Sequence, residues 1–540
     1  MPLLIVFTIL LYLCTPASSA ATDTILTGQV LTVNDKLVSK NGRYALGFFK
    51  TSSKSYGSTA NWYLGIWFNT VPKFTSAWVA NRDKPIKNTT LLELTISHNG
   101  NLVVQNPSTK SIIWSTQAKI TKDGTTAMLL SSGNLILTSS SNSSEVLWQS
   151  FDHLTDTFFP EANIGWDRVT GLKRRIVSWK NLINPATGAY WYELDPSGAD
   201  QLLLAPFNSS TPYWSTGAWN GKYFSAIPES AGHVIFFRSK FVKNDQEKYY
   251  TYSLVHENMV SRFVIDVSGQ LRMFIWFEGS HDWVIVYAQP KTQCDVYAIC
   301  GPFTICNDNV VPHCNCMEGF TITSPQDWEL EDRTGGCSRT TPLDCIRNKS
   351  TTRTTDKFYS MSCVRLPQNA SKVESATSVI ACVKVCLDDC SCTAYSYIDS
   401  GCFIWYNELL NLKQLQCRDT TNSNEETLYL RLSAKDIQSL KNKRRGFVIG
   451  VATGTCVSTL GLFGLILILM IWRNKRKMPG RVLNGAQGSN GIIAFRYTVL
   501  QCATKKFTEK LGGGSFGSVF KGFIDNSIAI AVKRLDGAYQ

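Results

Sequence analysis

Histidine is scarce in this 540-residue chain: six residues in all, scattered, with no spacing that suits a metal site. Residues 151–290 hold no catalytic cluster either. Net charge is missing from the first 440 residues, where Lys and Arg number 38 and Asp and Glu also 38. The formal +13 of the whole chain therefore does not describe a chain-wide nucleic-acid surface. The excess sits in Lys441, Lys443, Arg444 and Arg445 and after residue 472, where 12 Lys and Arg face 3 Asp and Glu. Between those two blocks, Gly446–Trp472 carries no charge at all. Cysteine is nearly absent outside one block: 14 of 17 lie in residues 294–417. Aromatic residues are not lacking, and 15 Trp, 20 Tyr and 27 Phe exclude global disorder.

Two apolar runs set an expected topology. Leu3–Cys14, followed by the small residues of Thr15–Ala20, reads as a secretory signal peptide over residues 1–20. As a helix, Gly446–Trp472 spans about 40 Å, enough to cross a hydrocarbon core of about 30 Å with tilt. Four cations flank each side, so charge does not orient it. The cysteine block and the sequons do. Asn88, Asn142, Asn208, Asn348 and Asn369 each open an Asn-x-Ser/Thr sequence, and all precede the helix. Residues 21–445 are therefore expected outside the cell and 473–540 in the cytosol, with the plasma-membrane lipid bilayer between them. Gly446, Gly450 and Gly454 form a small-residue pattern that would let two such helices meet in a homodimer.

The first 150 residues repeat. Gly100-Asn101-Leu102-Val103-Val104 recurs as Gly133-Asn134-Leu135-Ile136-Leu137, and Ile113-Trp114 and Leu147-Trp148 follow at matching distance. Ala77-Trp78-Val79 precedes both in phase. Short β-rich runs at regular spacing predict an all-β domain with internal symmetry, its Trp residues stacked at the centre and its Gly-Asn turns at the rim. Together with Trp78–Arg82 and Trp148–Asp152, these residues resemble the bulb-type lectin domain of plants. That resemblance implies a β-prism of three four-stranded sheets and a sugar pocket built on Gln-x-Asp-x-Asn-x-Val-x-Tyr. Here the two matching runs read Ser97, Asn99, Asn101, Val103, Gln105 and Leu130, Ser132, Asn134, Ile136, Thr138. Gln, Asp and Tyr are missing from both. A lectin scaffold with degenerate sugar sites is expected, with Asn99 and Asn101 the remaining candidate contacts. Further on, Tyr213–Gly221 and Phe224–Glu229 resemble the S-locus glycoprotein domain.

Cys294, Cys300, Cys306, Cys314, Cys316 and Cys337 allow 15 pairings. The Cys-x-Cys step before Gly319-Phe320 resembles an EGF-like module, which implies bridges 294–306, 300–314 and 316–337. Such a short segment needs cross-links because burial alone is insufficient. Cys345, Cys363, Cys382, Cys386, Cys390, Cys392, Cys402 and Cys417 resemble a PAN/apple domain. Cys382 and Cys386 share a helix face, from which two bridges would pin the helix to a sheet. Zinc binding is the rival reading, and the secretory context argues against it.

Leu511–Val519 contains Gly-x-Gly-x-x-Gly-x-Val, and a strand rather than a helix follows. With Ile528–Lys533 this predicts strand, glycine loop, strand, turn and strand, which resembles the start of a protein kinase. The resemblance implies an ATP site in which Gly512, Gly514 and Gly517 close over the phosphates. Lys533 would contact them, and Leu511, Val519 and Ala531 would sandwich the adenine. ATP and Mg²⁺ belong to the complete kinase domain. The catalytic loop and the metal-binding Asp-Phe-Gly do not occur before Gln540, so residues 1–540 are expected to be inactive in phosphoryl transfer.

The module order resembles the plant G-type lectin S-receptor-like serine/threonine kinases. The expected fold is multidomain with a mainly β ectodomain, one transmembrane helix and a partial α+β kinase N-lobe. Its parts are a signal peptide (1–20), a β-prism bulb-type lectin domain (21–150), a second β-rich S-locus domain (151–290), an EGF-like module (291–340), a PAN/apple module (341–433), a span (446–472), a juxtamembrane segment (473–507) and a kinase start (508–540). The expected role is a surface receptor kinase for a carbohydrate or glycoprotein, with no nucleic-acid partner. The alternative is a membrane lectin without kinase activity that acts as a decoy.

Overall fold

The computed structural model describes residues 22–51, 61–87, 92–120, 124–209, 211–227, 236–344, 355–399, 401–417, 427–475, 495–524 and 528–535. The expected signal peptide, Asn88, Asn348 and Cys345 lie outside them, as do the side chains of 444–460. The chain divides into two compact units, residues 1–447 and 448–540.

In the first unit, alternating apolar residues build three antiparallel sheets around one core. The first joins Thr24–Leu26, Thr125–Leu129, Leu135–Ser139 and Asn142–Gln149. The second joins Val30–Thr32, Glu93–Ile96, Leu102–Gln105 and Ile112–Ser115. The third joins Lys36–Val38, Tyr44–Thr51, Asn61–Phe68 and Ser76–Val79, with Ile86–Lys87 added beside Asn61–Phe68. Pairing of Thr24–Leu26 with Thr125–Leu129 ties the start of this prism to its end. Each sheet contributes one tryptophan to the centre: Trp148, Trp114 and Trp78. Their rings meet edge to face rather than stacked, with centroids 5.8–6.1 Å apart. That geometry sets the positive ring edge against the negative ring face.

A second prism follows, which the sequence reading left as an unspecified β-rich domain. Its sheets are Thr157–Phe158 with Ser261–Ile265, Leu271–Phe277 and Asp282–Gln289; Ile164–Asp167 with Lys173–Arg174, Glu247–Leu254 and Phe237–Lys243; and Ile176–Asn181 with Asn184–Leu194, Leu202–Pro206 and Trp214–Ser215. Both prisms use one hairpin turn. In the first, Ser97 N–H donates to Asn101 O (2.8 Å) and Gly100 N–H to Ser97 O (2.8 Å), and Leu130 and Gly133 repeat the pattern. In the second, Asp266 N–H donates to Gln270 O (3.0 Å) and Gly269 N–H to Asp266 O (2.9 Å). Asp195, Gly198 and Gln201 form a version longer by two residues. The turn needs a left-handed residue, and Gly100, Gly133, Gly198 and Gly269 supply φ of 79–94°. One apolar cluster runs from Ile25 through both prisms to Cys314.

Beyond residue 290, cross-links take over. Cys294–Cys306, Cys300–Cys314 and Cys316–Cys337 are bonded, the set that the EGF-like resemblance implies. Cys363–Cys417, Cys382–Cys402 and Cys386–Cys392 close the next module. Cys390, expected in a bridge, is exposed and has none to a described residue. The helix Val379–Asp388 buries Cys382 and Cys386 completely and is pinned through them to the strands Cys392–Ile398 and Gly401–Tyr406. Arg431 caps the far end of that helix. Its guanidinium is fully buried, donates to Cys386 O (2.8 Å), Asp389 O (2.7 Å) and Leu387 O (3.2 Å), and pairs with buried Asp356 at 3.1 Å.

The helix Ala434–Lys475 starts at a serine N-cap. Asp436 N–H donates to Ser433 Oγ (3.2 Å), and that hydroxyl donates back to Asp436 Oδ2 (2.9 Å). Gly446, Gly450 and Gly454 lie on this helix. Among the described residues no helix is long and apolar enough to cross a membrane. In the second unit, Lys510–Gly514, Gly517–Ile524 and Ile528–Arg534 form an antiparallel sheet behind the short helix Tyr497–Ala503.

Candidate ligand and nucleotide sites

The seam between the prisms is built by Asn81-Arg82-Asp83, which follows the last strand of the third sheet. Asn81 is buried and accepts the Leu64 N–H at 2.9 Å, which fixes the turn. Arg82 then reaches across and donates to Pro185 O and Ser178 O, both at 2.8 Å. Asp83 accepts the Thr187 N–H at 2.7 Å. From the other side, Arg262 lies between the rings of Phe274 and Trp283, at 5.2 and 5.1 Å. It donates to Ser76 O at 3.2 Å. Burial pushes its guanidinium down to about 10, against the pull of Asp156. Burial also raises the Asp156 carboxyl, because desolvation outweighs the two nearby arginines, Arg262 and Arg82.

A cleft of about 590 Å³ opens along this seam. The tryptophan triad forms its floor, with Trp114 half-buried and Trp78 and Trp148 buried. His153 stacks on Trp148, centroids 5.4 Å apart at 14°. Desolvation lowers the His153 pKa, so the neutral ring is favoured. Asp152 holds Arg174 at 2.6 Å, and Arg175 holds Glu193 at 3.1 Å. Lys84 and Lys173 are exposed on the rim, and neither has a carboxylate within ion-pair distance among the described residues. The sequence reading missed this site, because its walls come from segments about a hundred residues apart.

The strand positions expected to touch sugar are occupied by the fold itself. Asn101 is buried, and its Oδ1 accepts from Ala118 N–H (2.7 Å) and Thr116 Oγ1 (2.8 Å). Asn99 is exposed, but its Oδ1 accepts from Ser97 Oγ (2.6 Å) and Asn101 N–H (3.2 Å). Asn134 repeats the arrangement with Ser150 Oγ and Phe151 N–H, both at 3.1 Å. These side chains staple turns. Of the sequons described, Asn142, Asn208 and Asn369 are exposed.

In the second unit the strand register decides which side chains share a face. Val519 lies opposite Lys533, and Lys521 opposite Ala531. Alternation therefore puts Val519, Ala531 and Lys533 on one face. The other face is covered: Phe520 meets Phe507 at 5.3 Å, and a Cβ on Gly522 would lie 2.8 Å from Ala503 O. Leu511 and Lys533 are exposed, Gly512 and Gly514 lie in the first strand, and Gly517 opens the second with φ 133°. Lys521 is paired with Glu509 at 3.4 Å. The face that carries Val519, Ala531 and Lys533 is thus the one opposite Phe507 and Ala503.

The fold is a tandem β-prism followed by disulfide-stapled modules. Family comparison supports the lectin, S-locus and PAN resemblances. Residues 75–180 match the D-mannose binding lectin family, 214–324 the S-locus glycoprotein domain, and 345–412 the PAN-like domain. A G-type lectin S-receptor-like serine/threonine-protein kinase of Arabidopsis thaliana is 39% identical over 97% of this chain and 62% of its own length. The Arabidopsis receptor-like serine/threonine-protein kinase SD1-8 is 33% identical over 96% of this chain and 63% of its own length. An Arabidopsis SRK relative whose name carries the qualifier inactive is 31% identical over 94% of each chain. A solved monomeric mannose-binding lectin from Gastrodia elata is 18% identical over 24% of this chain and 96% of its own, with a TM-score of 0.18. The chain belongs to the G-type lectin S-receptor-like serine/threonine-protein kinase family. It spans about 62% of the length of the first two curated relatives.

Proposed function

We propose that this chain comprises the ectodomain, membrane span and first kinase strands of a single-pass plasma-membrane receptor that recognises a carbohydrate or glycoprotein. Family membership over nearly the whole chain carries the reading. The 27 uncharged residues Gly446–Trp472 support the span, with residues 21–445 outside and 473–540 inside. The disulfides and the exposed sequons support an oxidising exterior. In a complete kinase domain, ATP with Mg²⁺ supplies the transferable phosphoryl group. In this chain Gly512, Gly514 and Gly517 would approach the phosphates, Lys533 would hold them, and Leu511, Val519 and Ala531 would pack on the base. Helix pairing through Gly446, Gly450 and Gly454 would bring two cytosolic ends together.

The test is topology in plant cells with a tag after residue 540. Glycosidase must shift the protein through Asn142, Asn208 and Asn369, and external protease must spare the tag. An unglycosylated chain, or a tag cleaved from outside, contradicts the proposal. The relative named as inactive, which aligns over 94% of its own length, favours a second reading as a membrane lectin without phosphoryl transfer. Sequencing the transcript past codon 540 separates the two: a stop in phase favours the lectin, and an open frame into a catalytic loop favours the kinase.

A further inference from the structure

We propose that the cleft between the two prisms binds an acidic saccharide, an inference that rests on the carbohydrate reading above and names its site and ligand class. The strand pockets offer little, because Asn101 and Asn134 spend their amides on their own turns. The cleft has what those pockets lack. Its volume of about 590 Å³ falls within the range of small-molecule sites. Its floor is aromatic, and a sugar ring can lay its C–H face on Trp114 while its hydroxyls turn to the rim.

The rim decides the ligand's charge. Its carboxylates already have partners: Asp83 accepts from Thr187 N–H and Oγ1 (2.7 and 3.1 Å), and Asp152 is held by Arg174 (2.6 Å). Among the cations, Arg82 is committed to carbonyl oxygens and Arg175 to Glu193. Lys84 and Lys173 remain. Lys173 lies 5.6 Å from the Trp166 ring, and neither lysine faces a described carboxylate. Arg82, Lys84, Lys173 and Arg175 outnumber Asp83 and Asp152 in the lining, and two exposed lysines over an aromatic floor match the carboxylate of a uronic acid within a glycan.

The test uses the full chain in detergent, titrated by calorimetry with a hexamer of galacturonate and, separately, with neutral mannohexaose. Lys84→Glu combined with Lys173→Glu alters only exposed side chains, and its melting temperature checks the fold. A drop of at least tenfold in affinity for the uronate, with melting unchanged, supports the proposal. Unchanged uronate binding by the double variant overturns the cleft and leaves the carbohydrate reading standing. Binding of mannohexaose but not of the uronate overturns the ligand class. Binding of neither, by the parent chain, overturns the acidic-saccharide proposal and leaves the receptor reading to its own topology test.

Discussion

The first prism closes on three tryptophans, whereas the second closes on tyrosine and phenylalanine. In the second, Tyr252 meets Phe158 and Phe263 edge to face at 5.0 Å, and its hydroxyl donates to Phe158 O at 3.0 Å. A cation is also buried there: Lys248, which bonds Gly198 O (2.7 Å) and Asp200 (2.8 Å). The hairpin turn is common to both prisms, but the centre is not. Turn geometry therefore specifies where strands reverse, while many apolar sets of the right volume can fill the space between the sheets.

The largest effect should come from the triad. Trp148→Ala should destabilise the ectodomain by about 3–5 kcal/mol in denaturant unfolding, through lost burial and an unfilled cavity. If it costs less than about 1 kcal/mol, the triad is not the centre of the first prism. Next comes the seam. Arg82→Ala should lower stability by about 1.5–3 kcal/mol, the scale of hydrogen bonds to a charged group. It should also split one calorimetric transition into two, because the prisms lose their polar tie. A single sharp transition would show that the shared apolar cluster suffices.

Asn134→Ala should cost about 1 kcal/mol, the net worth of typical hydrogen bonds, and exposed Asn142→Ala close to nothing. Equal effects would mean that the turn holds without its side-chain staple. The smallest effect is that of pH. The hydrogen bond from Lys248 holds the Asp200 carboxyl below its usual range in the second prism. In the first prism, bonds from Thr32 do the same for Asp35. A depressed native pKa gives stability that is present above the unfolded value of about 4 and lost as pH falls through the native one. Melting temperature should decline below about pH 4, and Asp200→Asn should shallow that decline.

How much was legible depended on whether a signal was local. The repeat of Gly-Asn-Leu at residues 100 and 133 showed the first prism, and Cys spacing marked the stapled modules. The second prism escaped because Gln270 and Gln201 stand where the first has Asn, and because the Asp195 turn carries an insertion. Asp-x-Ser-Gly at 195–198 and 266–269 was the available signal. The candidate sugar positions were read as facing a ligand because polar residues on alternate positions can line a pocket. Asn101 instead faces Thr116 and Ala118, a contact that local sequence does not show. Arg431 was hidden by the same rule of alternation. Leu428, Leu430 and Leu432 mark one strand face as buried, so Arg431 reads as solvated. The opposite face, however, is roofed by the helix Val379–Asp388.

Arg431 also gives the stapled module a way to discriminate among its own oxidation isomers. The carbonyls that accept its hydrogen bonds sit at the end of a helix held in place by Cys382–Cys402 and Cys386–Cys392. A pairing that moved this helix end would leave those guanidinium N–H groups without acceptors, at a cost of about 1–3 kcal/mol. The charge would thus favour, during oxidative maturation, the connectivity in which it is at rest.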